Sequence, residues 1–191
     1  MRRCTGALLC GGRSSRMGRD KAFIKVNGEA LWRLQLAKLQ GLCDEVIVCG
    51  NSTQAQTLES TGVRFESDAD AALGPLSGIA CAMQAATSAH VLVLAVDMPR
   101  MSERYLANLL ELSTQESGVV PQNGGIFEGL CAVYPVSMHS LVLRLLNGAE
   151  RSIQRLVELG LEERLLRSKP VEFSERALFE NWNLPSDVVL V

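Results

Sequence analysis

The chain has 191 residues, of which 47% are hydrophobic and 21% charged, and its formal net charge is −2. These values exclude a disordered chain and disfavour a protein that binds nucleic acid through phosphate contacts. No apolar run reaches the roughly 18 residues that a membrane span requires, and the apolar stretch after the basic start is too short for an export signal. Six scattered cysteines without a C-x-x-C pair indicate free thiols, so we expect a cytoplasmic protein that contacts no membrane.

Short apolar runs typical of strands alternate with longer segments of helical period along the first half of the chain. Strands are predicted at residues 5–10, 45–49, 62–66 and 91–96, and helices at residues 30–42 and 76–86. Continuous apolar strands joined by helices are typical of a parallel sheet that is covered on both faces. The pattern therefore predicts an α/β fold with three layers, α/β/α, around a mostly parallel, Rossmann-like sheet.

The second half of the chain has a different pattern. Residues 119–120 and 130–134 flank a glycine-containing turn at 121–125, which predicts an antiparallel pair of strands. Helices are predicted at 136–146 and 152–159, a short strand at 171–173, and a polar loop at 179–185. We expect one domain, residues 1–191, because two complete domains would be small at this length.

A glycine-rich, basic segment directly follows the first predicted strand. Its glycines and cations are Gly11, Gly12, Arg13, Arg16, Gly18, Arg19 and Lys21. Glycine lets the backbone approach a ligand and turn its N–H groups toward an anion, and the cations neutralise phosphate charge. Ala22 follows Lys21, which excludes a Walker A loop, and the Rossmann G-x-G-x-x-G spacing is absent. The segment therefore predicts a polyphosphate site of another kind.

Asp97 comes directly after the most apolar predicted strand. Ligands of parallel α/β sheets bind beyond the carboxyl ends of the strands, so Asp97 is expected at the same edge as the basic segment. A carboxylate there suits Mg²⁺, which prefers oxygen ligands and bridges phosphates. The alternative role, a cap for the next helix, is filled better by Ser102. We therefore expect Asp97 to bind Mg²⁺.

The basic segment resembles the nucleotide-binding signature of the molybdenum cofactor guanylyltransferases, the molybdopterin-guanine dinucleotide biosynthesis protein A family of the sugar-phosphate nucleotidyltransferase superfamily. Further segments agree in order along nearly the whole chain. They are Asn51, Asp68 before the Gly-Pro-Leu-Ser-Gly run at 74–78, Asp97 in Val-Asp-Met-Pro, and the Asn-x-Asn pattern in 179–185.

The resemblance implies an enzyme that transfers GMP from GTP to molybdopterin, with Mg²⁺ as cofactor and pyrophosphate as the second product. It divides the chain into a nucleotide-binding half, residues 1–100, and an acceptor-binding half, residues 101–191. The partner proteins it implies are others of cofactor synthesis or an apoenzyme that receives the cofactor. Nucleic acid is not among the expected partners.

Individual roles carry over from the same resemblance. The nucleotide would contact the backbone of Leu9, Cys10, Gly11 and Gly12 and the side chains of Asn51 and Asp68. Catalysis would rest on Arg16 and Lys21, which neutralise phosphate charge, and on Asp97, which binds the metal and the nucleotide phosphates. The acceptor would lie near Arg151, Asn181 and Asn183.

Three residues depart from the family pattern. Cys10 replaces the usual alanine, Gly129 replaces a more common proline, and Leu184 replaces the usual threonine. The last two lie in the acceptor half, so the acceptor stays open. One alternative function is a cytidylyltransferase acting on the same or another phosphorylated acceptor. The other is a nucleotide-binding relative without catalytic activity.

Overall fold

A computed structural model describes residues 3–11, 20–67 and 73–182 of the chain. In chain order its strands are β1 (Thr5–Leu9), β2 (Lys25–Val26), β3 (Glu29–Ala30), β4 (Glu45–Gly50), β5 (Arg64–Ser67), β6 (His90–Ala95), β7 (Gly118–Asn123), β8 (Ile126–Phe127), β9 (Cys131–Pro135) and β10 (Leu166–Pro170). Its helices are α1 (Leu31–Gln40), α2 (Ser52–Glu59), α3 (Pro75–Ala85), α4 (Glu103–Leu112), α5 (His139–Leu146) and α6 (Ile153–Glu162). Within those three ranges, no helix has both the length and the apolar character that crossing a bilayer requires.

The strands form one large sheet and one small hairpin. The large sheet has the order β10-β7-β9-β6-β1-β4-β5, with β8 paired to β7, while β2 and β3 pair with each other. β1 runs parallel to β4 and β6, whereas β9 runs antiparallel to β6 and β7. The predicted mostly parallel sheet with an antiparallel element in the second half is therefore confirmed.

Helices cover both faces of this sheet. Side chains of α1, α2 and α4 pack into a core on one face, and those of α3, α5 and α6 pack into a core on the other. Every residue of β1, β6 and β9 is buried, which explains why these strands are almost continuously apolar; the exceptions, Thr5 and His90, stand at the first positions of β1 and β6. The three-layer α/β/α prediction is confirmed.

Polar caps begin several helices at the positions that the sequence indicates. Asn51 and Gln54 form a capping box at the start of α2. The hydroxyls of Ser102 and Ser152 accept hydrogen bonds from the backbone N–H groups of Tyr105 and Arg155, at the starts of α4 and α6. Because side-chain oxygens satisfy N–H groups that the helix leaves unpaired, these residues fix where each helix starts.

The predicted strand at 171–173 is wrong. The strand in this part of the chain is β10, which begins five residues earlier, at Leu166. A 3-10 helix follows it at Phe173–Phe179. Among the described strands, β10 pairs with β7 alone, at the edge of the sheet, and three of its five residues are exposed. A strand at an edge with one solvated face needs no apolar run, so the polar sequence Leu-Arg-Ser-Lys-Pro gave no strand signal.

Glu45 connects several segments at the end of the sheet where β1, β4 and β6 begin. Its carboxylate accepts hydrogen bonds from the Thr5 hydroxyl at 2.6 Å and from the Thr87 N–H at 2.8 Å, and it pairs with Arg64 at 2.6 Å. Burial raises the pKa of this carboxyl, but the hydrogen bonds and the Arg64 charge outweigh it and lower the pKa to about 2.

Glu45 should therefore make the stability of the fold depend on pH in acid. The folded pKa lies below the ordinary value of 4.5, so ionised Glu45 stabilises the fold above that pH, and the contribution is lost as the pH falls toward 2. In urea titrations, Glu45→Gln should lower the free energy of unfolding at neutral pH and flatten its decline in acid. Glu59→Gln, at an exposed position of α2, is the control. An unchanged acid profile in Glu45→Gln would contradict this role.

Candidate active site

The carboxyl ends of six described strands lie along one edge of the sheet. β1, β4, β5 and β6 run in parallel, and β7 has the same direction because the antiparallel β9 separates it from β6; β10 runs parallel to β7. The residues that follow β1, β4 and β6 therefore emerge side by side. This edge is where ligands of open α/β sheets bind.

Lys21 and Asp97 meet at this edge. The Lys21 ammonium lies 3.1 Å from Oδ2 of Asp97, although the two residues are 76 positions apart. Lys21 opens a 3-10 turn that Asp20 caps by accepting the N–H of Ala22 at 3.0 Å. Both side chains of the pair are about one-fifth exposed, so each can reach a ligand without losing its place in the fold. The structure thus joins two residues that the sequence predicts for one site.

Helix α1 holds the turn that carries Asp97. The Gln35 side chain, fully buried, donates to the carbonyl of Met98 at 2.5 Å, and the Lys38 ammonium donates to the carbonyl of Pro99 at 3.0 Å. Lys38 also donates to the Gln35 carbonyl oxygen at 2.9 Å. Burial lowers the pKa of Lys38, and the nearby Glu103 charge partly opposes that effect. Two side chains of one helix therefore fix the backbone directly after Asp97.

Gln54 connects three segments of the site. Its amide nitrogen donates to the carbonyl of Cys10 at 3.1 Å and to the Asp20 carboxylate at 2.7 Å, and its amide oxygen accepts from the N–H of Asn51 at 3.0 Å. The residue is 1% exposed. A methyl group on Gly50 would lie 2.4 Å from the Gln54 oxygen, so glycine leaves the room that this arrangement needs.

Asn51 and Cys10 lie at the sheet edge, and both form hydrogen bonds with other residues of the chain. The side-chain oxygen of Asn51 accepts from the N–H groups of Thr53 and Gln54 at 3.0 and 3.1 Å. The N–H of Cys10 donates to the carbonyl of Cys49, and the carbonyl of Leu9 accepts from Val96. Their predicted contacts with a nucleotide stay predictions. Burial raises the pKa of the Cys10 thiol, which disfavours a thiolate there.

Two of the three predicted acceptor residues, Asn181 and Arg151, are among the described residues. Asn181 is exposed and precedes Trp182, whose N–H donates to the carbonyl of Asp97 at 2.9 Å. Arg151 is exposed just before α6, and Gln154 of that helix donates to and accepts from the backbone of Phe127 at 2.6 and 3.0 Å. The residue after Asn181 is thus bonded to the backbone of Asp97, whereas the helix that begins after Arg151 is bonded to β8.

Four predicted site residues lie outside the described residues. They are Gly12, Arg16, Asp68 and Asn183. Gly11 is described and exposed at the end of the first range.

The donor set around Asp97 fits Mg²⁺ bound largely by substrate. Among residues 3–11, 20–67 and 73–182, no group of three or more His, Cys, Asp or Glu side chains could hold a metal ion by itself. Mg²⁺ in nucleotide sites is commonly held by one or two carboxylates together with phosphate oxygens and water. The partly exposed carboxylate of Asp97 matches that arrangement better than a preformed protein cage.

Sequence reasoning missed Gln35, Lys38 and Gln54 as parts of the site. A signal existed for Gln54, because Asn51 followed by Gln three residues later is the capping-box pattern. A weaker signal existed for Gln35, a polar residue one helical turn from the buried Leu31 and Leu39. Neither signal indicates which distant backbone atoms these side chains bind.

Known proteins were compared with the chain as a whole. The family model described as MobA-like NTP transferase domain matches residues 6–165. A protein from Opitutus terrae, described as a probable molybdenum cofactor guanylyltransferase, is 35% identical over 185 residues that cover 95% of this chain and 91% of the relative. A molybdenum cofactor guanylyltransferase from Pseudomonas putida is 30% identical over 155 residues, covering 80% of this chain and 81% of the relative.

Solved structures agree with the sequence relatives. The crystal structure of molybdopterin-guanine dinucleotide biosynthesis protein A from Archaeoglobus fulgidus has 25% sequence identity and a TM-score of 0.76, and the match covers 96% of this chain and 94% of that one. The family model spans the strands and helices that carry Lys21 and Asp97, and the relatives cover most of the chain. The chain is a nucleotidyltransferase and belongs to the MobA-like NTP transferase domain family.

Proposed function

We propose that this chain transfers GMP from GTP to the terminal phosphate of molybdopterin and releases pyrophosphate. The relatives described as molybdenum cofactor guanylyltransferases support this reaction for the chain. The observation that carries the proposal is the pairing of Lys21 with Asp97 at 3.1 Å, at the carboxyl ends of β1 and β6. A cation and a carboxylate side by side at this edge support a triphosphate site there, with Asp97 as the proposed ligand of Mg²⁺.

The chemistry is an in-line displacement at the α-phosphorus of GTP. An oxygen of the acceptor phosphate forms the new P–O bond, the bond from the α-phosphorus to the oxygen that bridges it to the β-phosphorus breaks, and pyrophosphate leaves with that electron pair. The attacking oxygen is already anionic near neutral pH, so no protein base is needed. The protein contributes position and charge neutralisation.

Each part of the site then has a distinct task. The Lys21 ammonium neutralises charge on phosphate oxygens, and Arg16 is proposed to do the same. The Asp97 carboxylate would hold Mg²⁺, which when bound would polarise the phosphates and neutralise the leaving pyrophosphate. Gln35 and Lys38 fix the backbone after Asp97, and Gln54 fixes the backbone at Cys10.

Nucleotide selection is the first test. The melting temperature would be measured with GTP, CTP, ATP and UTP, each with Mg²⁺, followed by an assay for pyrophosphate and for the dinucleotide product with molybdopterin. A nucleotide at a hundred times its dissociation constant stabilises the fold by about 2.7 kcal/mol, which is readily visible. We expect GTP to stabilise the protein selectively and GMP transfer to follow.

Two other results would contradict the proposal. Selective stabilisation and transfer with CTP would identify a cytidylyltransferase. Binding of GTP without any transfer to molybdopterin would identify a nucleotide-binding relative that lacks catalysis.

Asp97→Asn should remove most of the activity and leave the fold intact. The amide keeps the shape of the side chain but loses the charge that holds the metal, so we expect kcat to fall by about a hundredfold or more. The Lys21–Asp97 pair is partly exposed, and its loss should change the melting temperature little. Pyrophosphate release measured against Mg²⁺ concentration tests this, and normal turnover would remove Asp97 from the metal role.

Gln35 should act as a positioning residue for Asp97. Gln35→Met keeps the length of the side chain but removes the hydrogen bond to Met98, so the Asp97 turn can shift. We expect kcat to fall about tenfold and the Mg²⁺ concentration for half-maximal rate to rise, with the GTP-induced melting shift retained. Gln40→Met, at an exposed position of the same helix, is the matched control. A loss of stability without a change in Mg²⁺ dependence would mean that Gln35 only supports the fold.

A further inference from the structure

Glu128 lies at the same sheet edge as Asp97, on the side of β9 and β7. Its N–H donates to the carbonyl of Pro121 at 2.9 Å, and the carbonyl of Leu130 accepts from Ala95 at 2.8 Å. Ala95 is the last residue of β6, two positions before Asp97. The segment 128–130 therefore runs beside the end of β6. Asn51 follows β4, two strands away from β6 in the other direction.

The backbone at Glu128 is held tightly. The Tyr134 hydroxyl, fully buried, donates to the carbonyl of Gly129 at 2.7 Å. A methyl group on Gly129 would lie 2.3 Å from a side-chain carbon of Ile153, so glycine allows this close packing. The Glu128 carboxylate is consequently presented from a fixed position and not from a loose loop.

The Glu128 carboxylate is partly buried without a cationic partner among the described residues. One of its oxygens accepts a hydrogen bond from the Asn123 amide at 3.1 Å, and the other accepts none from the described parts of the chain. Burial raises the pKa of this carboxyl, and the Asn123 bond opposes that effect. Carboxylates taken out of water are usually paired, so an unpaired one at a ligand-binding edge points to a ligand.

A purely structural role would not need the charge. If Glu128 served only to anchor Asn123, glutamine would offer the same amide-to-oxygen hydrogen bond without the cost of burying a charge. What the carboxylate adds is a second anionic acceptor atom beside the first. Two adjacent acceptors match a ligand that presents two adjacent N–H donors.

The 2-amino-4-oxopyrimidine edge has this donor pair, a ring N–H next to an exocyclic amino group. Both substrates of the proposed reaction carry it, because guanine and pterin share this part of their rings. The two rings are expected at different positions along the sheet edge. Asn51, expected to hold guanosine, follows β4, whereas Glu128 lies on the other side of β6, among the strands of the acceptor half. The position of Glu128 favours the pterin.

We propose that Glu128 is a specificity-determining residue whose carboxylate accepts hydrogen bonds from the aminopyrimidinone edge of the pterin acceptor, with Asn123 as the residue that orients it. The inference rests on the proposed function, because that function supplies the pterin. It assigns to the β7–β8 hairpin and the segment that follows it the recognition of the acceptor's ring system.

Binding of two small pteridines tests this directly and without turnover. Pterin has the 2-amino group, whereas lumazine has an oxygen at the same position, and fluorescence titration gives the dissociation constant of each. The full-length wild-type protein should bind pterin more tightly than lumazine. Glu128→Gln should weaken pterin binding by about tenfold and abolish the preference over lumazine, because a charge-assisted hydrogen bond is lost.

Two further variants and GTP binding separate a role in pterin recognition from a general effect on the protein. Asn123→Ala keeps the charge but loses the orienting bond, so it should weaken pterin binding less than Glu128→Gln does. Glu116→Gln makes the same chemical change at an exposed position before the other end of β7 and should change nothing. The GTP-induced melting shift should be the same in all these proteins.

The outcomes distinguish this inference from the proposed function. Equal pterin affinity in wild type and Glu128→Gln, or no pterin binding by the wild type, would overturn the inference. Weakened GTP binding with unchanged pterin binding would assign Glu128 to guanine and would also overturn it. Pterin binding that depends on Glu128, in a protein that transfers no GMP to molybdopterin, would support the inference and refute the proposed function.

Discussion

The position of β1 between β4 and β6 is the constraint on which the site depends. All five residues of β1 are buried, so water is excluded from both of its faces and the strand cannot slip without exposing its apolar side chains. Leu9 lies opposite Cys49 on one side and Ala95 on the other. The segments that follow the three strands therefore leave the sheet at the same level. This register sets the level of Asp97, two residues beyond Ala95, where the Lys21 ammonium contacts it.

Amide side chains hold the loops at this edge in fixed positions relative to the sheet. Gln54 binds the backbone at Cys10, Gln35 binds the backbone at Met98, and Asn123 binds the carboxylate of Glu128. A buried amide costs free energy unless its donors and acceptors are satisfied, so a shift of either partner is penalised. An amide carries no net charge, so it can do this next to phosphate-binding groups without adding a charge of either sign.

The reversed direction of β9 explains why two different substrates can meet at one edge. Because β9 runs antiparallel to β6, the segment just before it, residues 128–130, lies at the carboxyl end of β6. In a parallel strand that segment would lie at the opposite edge, about five residues or some 17 Å away. The reversal of β9 thus brings a second group of residues to this edge. The parallel strands β1, β4 and β5 form the wall expected to hold the nucleotide, and β7 and β9 form the wall proposed for the acceptor.

The sequence by itself determined the α/β class, the buried strands, the basic segment with Lys21 and the place of Asp97 after the most apolar strand, because these depend on local periodicity and on the residue types that phosphates and metals require. It did not determine the edge strand β10, whose exposed residues carry no apolar pattern. Nor could it determine that Gln35 binds the Met98 carbonyl, 63 residues away, or that the segment with Glu128 runs beside the end of β6. Those contacts depend on strand register and helix packing, which arise from the burial of the whole sheet, and only the tertiary structure decided them.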